Sequence, residues 1–438
     1  MKTTNGRLLL KGGHVVDPAN GQDGLADLLI EHGIIAAIGP GLKPSGNHCR
    51  TIDAAGCHVL PGLIDLHVHF RQPGREDDET IATGVAAAAL GGFTTVCPMP
   101  NTEPVIDTPS LVSWIVEQAA RSTRLRVLPV AAVTKQEAGT EMTDFGELTQ
   151  AGAIAFSDDG KPVADALVMR RALEYARMFQ RPIMQHAEEP TLAHGGVMHE
   201  GETSTILGLH GIPAASESVM VARDLELAAV TGGHVHFAHL SSRRSIELVR
   251  QAKQRGVRVT CETCPHYFTL TDEAVRGYET RAKVNPPLKT ADDVTAIIEG
   301  LRDGTIDTIA TDHAPHAAWK KAAEFDQAPF GLVGLETALA LAITQLIEPG
   351  HLTWPQLVEK MARQPARVLG IAGGTLGVGA AADVTIVDAK SAWTVEPERF
   401  ASKGRNTPFA GWRLRGRVRW TIAGGVPVVD DGQLKEGA

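Results

Sequence analysis

The sequence has little of what would place it in several special classes of protein. Only five of its 438 residues are cysteine, an odd number that indicates a reducing environment and argues against a disulfide framework. Aromatic residues make up 5%, and a net charge of -9 offers no basic surface to nucleic acid or to an anionic membrane. No uninterrupted apolar run approaches the ~18 residues of a membrane span, and the N-terminus lacks the core and cleavage site of a secretory signal. These absences predict a cytoplasmic globular protein that binds neither nucleic acid nor membranes.

The middle of the chain contains a regular alternation of β-rich and helical segments. Eight such β-rich runs favour a (β/α)8 TIM-type barrel over an open sheet. The predicted strands are Val59–Phe70, Phe93–Pro98, Arg126–Val133, Ala153–Ser157, Pro182–His186, His234–His239, Arg258–Glu262 and Thr308–Asp312. The predicted helices between them include Ala164–Phe179, Ser216–Thr231 and Ser241–Arg255, and the small-residue run Ala82–Leu90 is interpreted as a tightly packed barrel helix.

The two ends of the chain differ from its middle. Both consist of short strands between glycine-rich turns, and neither is large enough to bury a core of its own. We therefore predict an α/β protein in which residues 59–374 form the barrel. Residues 1–58 and 375–438 are predicted to combine into one small β-sandwich domain.

Residues that can bind metal ions recur where the predicted strands end. His67 and His69 share one face of the first barrel strand, because side chains alternate along a strand. Barrel enzymes carry their functional residues at the C-terminal ends of the strands and in the loops that follow. The other candidates at such positions are Asp158, Asp159, His186, His239 and Asp312. Together they make a nitrogen and oxygen ligand set that suits zinc or a similar divalent ion.

Other histidines and the cysteine pair are interpreted as structural. His234 and His236 form a second HxH at the start of a strand, with a parity that turns them away from the face of His239. The CxxC of Cys261 and Cys264 has no second ligand pair nearby. The remaining histidines interpreted as loop or surface residues are His58, His194, His199 and His210.

Five short motifs, taken in order, resemble those of the dihydroorotase family of the amidohydrolase superfamily, in its bacterial form of similar length. The motifs are Asp65–Gly74 (DLHVHFRQPG), Met99–Thr102, Ser157–Gly160, Asn285–Leu288 and Thr311–His316. The resemblance implies the reversible cyclisation of N-carbamoyl-L-aspartate to L-dihydroorotate plus water, a step of pyrimidine (UMP) biosynthesis.

The resemblance also implies one or two zinc ions per chain. It makes His67, His69, Asp159 and Asp312 the ligands of one ion, and Asp159, His186 and His239 the ligands of a second. Asp159 would then bridge the ions, where hydantoinases, allantoinases and animal dihydroorotases use a carboxylated lysine. The alternatives for the bridge are the neighbouring Asp158 and, more remotely, a carbamate on Lys161.

The expected mechanism uses zinc-bound water, whose lowered pKa provides hydroxide at neutral pH to attack the ring amide carbonyl of dihydroorotate. Asp312 is the expected catalytic residue, since a metal ligand with a free oxygen can carry the proton from water to the leaving nitrogen. The alternative role for Asp312 is that of a plain ligand.

Substrate carboxylates require local cations in an acidic chain. Arg71 lies two residues beyond His69 and can form a bidentate pair with a carboxylate. With the resemblance, the expected substrate-binding residues are His69, Arg71, Asn101, Asn285, His316, Phe330 and Gly331. The stretch Ala317–Phe330 has few apolar anchors and is interpreted as a mobile loop over the site.

Two other functions are also compatible with the sequence. The first is a sister cyclic amidohydrolase, either a hydantoinase or an allantoinase. The second is an inactive scaffold for aspartate transcarbamoylase, a state that loss of metal ligands would mark and that the complete ligand set here disfavours. The family also supports a homodimer and leaves open an association with aspartate transcarbamoylase.

Overall fold

Twenty strands and thirteen α-helices lie within residues 6–43 and 49–435, the parts of the chain that the computed structural model describes. The strands are β1 (Arg7–Asp17), β2 (Gln22–Glu31), β3 (Ile34–Gly39), β4 (Cys49–Asp53), β5 (His58–Pro61), β6 (Leu63–Val68), β7 (Phe93–Pro98), β8 (Arg126–Val127), β9 (Val130–Ala131), β10 (Ala155–Phe156), β11 (Ile183–Gln185), β12 (Met198–His199), β13 (Gly211–Ile212), β14 (Val235–Phe237), β15 (Val259–Thr263), β16 (Thr308–Ile309), β17 (Val384–Thr394), β18 (Arg413–Ala423), β19 (Val426–Asp430) and β20 (Gln433–Leu434). The α-helices are α1 (Ile81–Leu90), α2 (Pro109–Ser122), α3 (Phe145–Ala151), α4 (Ala166–Met178), α5 (Pro190–Ala193), α6 (Glu202–Leu207), α7 (Ala215–Thr231), α8 (Arg243–Gln254), α9 (Ala291–Asp303), α10 (Ala318–Lys321), α11 (Ala338–Ala342), α12 (Trp354–Val358) and α13 (Gln364–Leu369).

Shorter helical turns supplement these elements. The π-helical turns are Ile343–Ile347 and Glu359–Arg363, and the 3₁₀ turns are Pro18–Asn20, Lys135–Glu137, Asp272–Val275, Thr280–Ala282 and Pro397–Arg399. None of the helices in the described ranges has the length and apolar character needed to cross a membrane. The first five residues, on which part of the signal-peptide prediction depends, lie outside the described residues.

The middle of the chain forms the predicted parallel α/β barrel. Six parallel strands follow the order β9-β10-β11-β14-β15-β16, and three more follow the order β6-β7-β8. The strands β8 and β9 together occupy one strand position of the barrel, since β8 pairs with β7 and β9 pairs with β10. A parallel bridge between Val68 and His313 closes the ring on the other side. The barrel prediction is therefore confirmed.

Several predicted elements are close to those observed. The predicted strand Phe93–Pro98 matches β7 residue for residue, and the three predicted helices correspond to α4, α7 and α8 with ends shifted by at most two residues. The small-residue helix α1 is buried on its inner face, as expected of a barrel helix in close contact with its strand.

The first predicted barrel strand, Val59–Phe70, is wrong as a single element. The structure divides it at Gly62 into β5, which belongs to the sheet of the chain ends, and β6, which belongs to the barrel. A side chain at position 62 would place its Cβ 2.2 Å from Thr94 Oγ1. Because the backbone at Gly62 passes so close to Thr94 of β7, this position requires glycine. The predicted strand Arg126–Val133 is likewise interrupted at Pro129, which has no N–H to donate to a neighbouring strand.

Both ends of the chain contribute to one nine-stranded sheet. Its order is β20-β19-β18-β17-β5-β1-β2-β3, with β4 paired beside β1. The centre of this sheet is β5, which pairs with β1 of the N-terminal end and with β17 of the C-terminal end. Its side chains bury a separate core that includes Leu28, Ile30, Ile35, Val384 and Ile422. The two pairs made by β5 and the shared core join both ends of the chain into one sheet.

A segment of residues 400–409, here called the docking segment, leaves this sheet between β17 and β18 and packs on the barrel. The side chains of Phe400 and Phe409 are buried in the main barrel core. The backbone amides of Ala401 and Ser402 donate to Glu336 Oε1, at 2.9 and 3.2 Å. The C-terminal end of the chain thereby reaches the same side of the barrel as the loops that follow its strands.

Candidate active site and metal centre

The six predicted metal ligands meet at the C-terminal mouth of the barrel. His67 lies in β6 and His69 directly after it, while the others follow the ends of four further strands, as Asp159 after β10, His186 after β11, His239 after β14 and Asp312 after β16. All six are buried, with at most 8% of any residue exposed. Parallel strands bring these ends together because they all point the same way around the ring.

Asp159 lies between two pairs of histidines. Its Oδ2 is 3.3 Å from His67 Nε2 and 3.5 Å from His69 Nε2. Its Oδ1 is 3.3 Å from His239 Nε2 and 3.6 Å from His186 Nδ1. One carboxylate therefore offers each of its oxygens to a different side of the site, which is the arrangement that a bridging ligand requires.

Asp312 completes the side that contains His67 and His69. Its Oδ1 lies 3.1 Å from His69 Nε2 and 3.6 Å from His67 Nε2. On the opposite side, His186 Nδ1 and His239 Nε2 are 3.0 Å apart. The ligand atoms of His67, His69 and Asp312 all lie within 4.8 Å of one another, and so do those of His67, Asp159 and His239.

These separations fit a divalent metal ion. Ligand atoms bound tetrahedrally at about 2.0 to 2.1 Å lie roughly 3.3 Å from each other, close to the distances around Asp159 and Asp312. The buried Nε2 of His67 makes no hydrogen bond to any group in the described part of the chain, although it faces both carboxylates. A buried nitrogen that faces two carboxylates and makes no hydrogen bond is suited to bind a metal ion.

The charges of the cluster favour bound cations. Burial lowers the pKa of His67, but Asp159 outweighs it and holds that pKa well above the usual value. Burial also lowers the pKa of His186, but Asp159 and Glu188 outweigh it and raise that pKa to about 10. Burial raises the pKa values of Asp159 and Asp312, but the surrounding histidines lower them by more. Both pKa values are therefore below their usual range. The carboxylates are therefore ionised and attract positive charge into a buried site.

Glu262 of β15 hydrogen-bonds to the ring nitrogen of His67 that faces away from Asp159 and Asp312. The sequence interpretation missed this residue. Its Oε1 accepts from His67 Nδ1 at 2.9 Å, which fixes the tautomer that leaves Nε2 free to bind metal. Its Oε2 lies 3.1 Å from His236 Nε2, and His236 Nδ1 lies 2.8 Å from Thr260 Oγ1. His236 does not face the ligand cluster directly, as predicted, but it supports the residue that orients His67.

The neighbours of Asp159 in sequence point elsewhere. Both oxygens of Asp158 accept from Thr134, one from the backbone amide at 2.9 Å and one from the hydroxyl. Lys161 is exposed, and its Nζ lies 3.4 Å from the carbonyl oxygen of Glu137. Among the three alternatives for the bridge, only Asp159 therefore contacts the histidines.

The predicted substrate residues surround a cavity of about 260 Å³ beside the ligand cluster. Its walls include His69, Arg71, Asn101, Asn285, His316, Phe330 and Gly331 together with Asp159, His186, His239 and Asp312. Arg75 also lines this cavity and was not among the residues predicted. Its position four residues after Arg71 was the signal available in the sequence. In the structure the Arg75 amide donates to the Arg71 carbonyl oxygen, which closes the turn.

Arg71 is a buried cation at the cavity wall. Its Nε donates to the carbonyl oxygen of Pro315 at 3.2 Å, and its backbone has a φ of 60°. Burial lowers the pKa of Arg71 to about 10, and the nearby Arg75 contributes in the same direction, so the guanidinium stays charged at neutral pH. A buried, charged and oriented guanidinium is suited to a substrate carboxylate.

Three polar groups of the wall are oriented by their neighbours. His69 Nδ1 donates to Asn101 Oδ1 at 2.9 Å, which directs Nε2 towards Asp312. His316 Nε2 lies 2.8 Å from the carbonyl oxygen of Phe330, so this nitrogen is the donor and Nδ1 is an acceptor. Burial and the cationic Arg71 lower the pKa of His316 well below its usual value, and the ring is neutral.

The stretch Ala317–Phe330 has more anchors than its sequence indicated. It contains the short helix α10, and both Phe325 and Lys321 are buried. Lys321 Nζ donates to the carbonyl oxygens of Pro329 and Gly331, at 2.8 and 3.0 Å. The apolar stem of a lysine and its three donors here replace the apolar anchors that the sequence pattern lacked.

Two histidines outside the site differ from their interpretation. His199 is buried in β12, and His58 lies in β5, where its ring stacks on Trp354 with centroids 3.9 Å apart. All five cysteines are free thiols. Cys261 is fully buried, which raises its pKa to about 12 and keeps the thiol protonated.

Comparisons with known proteins agree with this geometry. A family profile described as Dihydro-orotase-like matches residues 56–245. A dihydroorotase of Acetivibrio thermocellus is 53% identical over 96% of this chain and 99% of its own length, and one of Pelotomaculum thermopropionicum is 54% identical over 97% and 99%. The solved structure of an L-hydantoinase (dihydropyrimidinase) from Arthrobacter aurescens is 26% identical, covers 98% of this chain and 97% of its own, and superimposes with a TM-score of 0.88. With half of all residues shared over nearly the whole length of such relatives, the chain belongs to the dihydroorotase family of the amidohydrolase superfamily.

Proposed function

We propose that the chain catalyses the reversible cyclisation of N-carbamoyl-L-aspartate to L-dihydroorotate plus water, using one or two zinc ions. The observation that carries this proposal is the position of Asp159, whose two oxygens face different histidine pairs beside a cavity with Arg71 in its wall. The relatives named dihydroorotase support the choice of reaction. Pyrimidine biosynthesis in the cytoplasm, a homodimer and an association with aspartate transcarbamoylase stay predictions.

The metal assignment follows the two sides of the cluster. His67, His69, Asp159 and Asp312 would hold one ion, and Asp159, His186 and His239 a second. When bound, a divalent ion makes water a better nucleophile at neutral pH and polarises the carbonyl that the water attacks. The nitrogen and oxygen donors suit zinc without excluding manganese or cobalt, so metal identity is part of the test below.

Asp312 is the proposed proton carrier. In ring opening, the attack of water forms a C–O bond and breaks the ring C–N bond, while one water proton must move to the leaving nitrogen. Asp312 faces the cavity and is ionised, because the neighbouring histidines hold its pKa below the usual range. It can accept that proton and release it to nitrogen, and in the cyclisation direction it transfers the proton from nitrogen to the departing water.

The rest of the cavity wall would hold the substrate. Arg71 pairs with the carboxylate that both dihydroorotate and carbamoyl aspartate carry. Asn101, Asn285 and the neutral His316 offer amide and imidazole groups to the polar edge of the ring, and the backbone of Phe330 and Gly331 borders the same cavity. Such a wall suits a small anionic amide.

The test is the ring opening of L-dihydroorotate, followed by its loss of ultraviolet absorbance, with hydantoin and allantoin as comparison substrates. We expect turnover of dihydroorotate that disappears after chelation and returns with zinc, and one or two ions per chain by elemental analysis. Manganese and cobalt restore activity less well if zinc is the native ion. Turnover of hydantoin or allantoin alone by the metal-loaded protein would replace the proposal with a sister amidohydrolase. Absence of all turnover would leave the scaffold role.

A further inference from the structure

The docking segment contacts the loops that border the substrate cavity through the side chain of Asn406. This residue comes from the C-terminal end of the chain, is 3% exposed, and is neither a metal ligand nor a cavity-lining group. We propose that Asn406 is a positioning residue that sets the substrate-binding geometry of Arg71, His316 and Gly331. The inference rests on the proposed function and extends it to a residue outside the barrel.

The side chain of Asn406 connects two separate loops. Its Oδ1 accepts from the backbone amide of His316 at 3.1 Å. Its Nδ2 donates to the carbonyl oxygens of Ala314 and Gly331, both at 3.0 Å. One partner is a donor and two are acceptors, so only one of the two possible orientations of the Asn406 side-chain amide makes all three hydrogen bonds.

Two of these bonds bracket the residue that orients Arg71. Ala314 and His316 lie on either side of Pro315, whose carbonyl oxygen accepts from Arg71 Nε at 3.2 Å. The position of this carbonyl depends on its two neighbours, because a proline peptide has no N–H with which to anchor itself. Asn406 thus holds the short segment against which the guanidinium is oriented.

The third bond fixes the loop on the other side of the cavity. Gly331 has a φ of 126°, and a Cβ there would lie 2.7 Å from the Cβ of Ala314 and 3.2 Å from His316 Nε2. The two loops therefore touch at Gly331. The backbone of Asn406 adds a bond of its own, because its carbonyl oxygen accepts from the amide of Val333 at 3.0 Å. Both loops are consequently held to one residue at their closest approach.

The docking segment has other attachments that do not reach the substrate loops, and these offer a control. The hydroxyl of Thr407 accepts from the amide of Phe409 at 3.2 Å, within the segment itself. Thr407 is fully buried, as Asn406 nearly is, so Thr407→Val removes one hydrogen bond from the same segment at almost constant volume. A general loosening of the segment would affect both positions, whereas positioning of the substrate loops would affect only Asn406.

The experiment compares the zinc-loaded wild type with Asn406→Ala, Asn406→Asp and Thr407→Val. We expect KM for dihydroorotate to rise at least tenfold in both Asn406 variants, with kcat within about threefold of the wild type and zinc content unchanged. Asn406→Asp should be the worse of the two, because a carboxylate oxygen would face the carbonyls of Ala314 and Gly331. Thr407→Val should keep the KM of the wild type.

Amide hydrogen exchange on the same four proteins tests positioning without any substrate. The peptide that contains His316 should exchange at least tenfold faster in Asn406→Ala, because its amide loses its acceptor, and at the wild-type rate in Thr407→Val. Unchanged KM and unchanged exchange in folded Asn406 variants would overturn the inference, as would equal losses in Thr407→Val. If the wild type does not open dihydroorotate, the proposed function fails, and the exchange rates still decide whether Asn406 holds these loops.

Discussion

At the scale of single residues, the two carboxylates of the site, Asp159 and Asp312, occupy different positions among the histidines. Asp159 presents one oxygen to each histidine pair, while Asp312 Oδ1 faces the pair of His67 and His69, and both carboxylates line the cavity. The positions of the six proposed ligands were predictable because each is a metal-binding residue type at the end of a β-rich run, whereas the choice of Asp159 over Asp158 rested on the family resemblance. Glu262 was not predictable, because it lies inside a strand between two cysteines and nothing in its local sequence indicates that it contacts His67.

Replacing Asp312 with asparagine should abolish proton transfer while nearly preserving shape. We expect kcat for ring opening to fall by roughly 10² to 10⁴, the usual contribution of a positioned acid or base. Turnover and bound zinc should be measured on the same sample, so that loss of chemistry is separated from loss of metal. Wild-type kcat in a zinc-loaded variant would reduce Asp312 to a plain ligand.

Replacing Arg71 with lysine should weaken substrate binding more than chemistry. Lysine keeps the charge but loses the planar fork and the bond to the Pro315 carbonyl. KM should therefore rise about 10- to 100-fold with a smaller change in kcat, measured by steady-state kinetics on dihydroorotate. The exposed Arg124→Lys is the matched control, and a KM equal to that of the wild type in Arg71→Lys would remove Arg71 from the binding site.

At the scale of elements, the barrel was predictable because its strands and helices alternate in sequence as they do in space. The boundary at Gly62 was not, since it depends on which sheet a strand joins and not on its own hydrophobicity. Pro129, by contrast, is a local signal in the sequence, because proline has no N–H to donate to a neighbouring strand. The attachment of Asn406 to Ala314 and Gly331 was also beyond prediction, since it joins positions separated by 92 and 75 residues.

The strand β15 should contribute to metal affinity through Glu262. Its carboxylate is fully buried, and although burial raises its pKa, hydrogen bonds from His236 and His67 lower it to about 2. Glu262→Gln removes the negative charge that makes His67 a better ligand, so zinc should bind about 10- to 100-fold more weakly. Competition with a chromogenic chelator measures this directly. The exposed Glu147→Gln should have the affinity of the wild type, and the same affinity in Glu262→Gln would contradict the supporting role.

The helix α1 should tolerate no side chain at Gly84. A Cβ there would lie 2.4 Å from Cδ1 of Phe70, the buried residue that follows His69. Gly84→Val should therefore lower the free energy of unfolding by about 1 to 3 kcal/mol, the usual cost of overpacking. Chemical denaturation provides the measurement. Ala82→Val, at an exposed position of the same helix, should change stability by less than about 0.5 kcal/mol.

At the scale of the whole molecule, the two ends of the chain form one sheet that is joined to the barrel both by β5 and by the docking segment. Glu336 lies at the second of these junctions and accepts from the amides of Ala401 and Ser402. Burial raises the pKa of Glu336 to about 7 from its usual 4.5. The folded protein thus retains a proton that the unfolded chain has already released between these two values.

Stability should consequently fall as pH rises through this window. The contribution of Glu336 is fully present below pH 4.5 and is lost as pH rises through about 7, on the order of 3 kcal/mol. Glu336→Gln accepts the same two hydrogen bonds without titrating, so its melting temperature should decline less than that of the wild type between pH 5 and pH 8. Parallel curves for the two proteins would show that the junction does not titrate, and the exposed Glu398→Gln should follow the wild type.

The bridging position of Asp159 also has a consequence for how the site matures. A carboxylated lysine must be made after translation from carbon dioxide, and its formation depends on the supply of bicarbonate. The carboxylate of Asp159 needs no such modification, and Lys161, two residues further along the chain, is exposed. The proposed metal site therefore needs only folding and metal uptake to assemble, at any concentration of dissolved carbon dioxide.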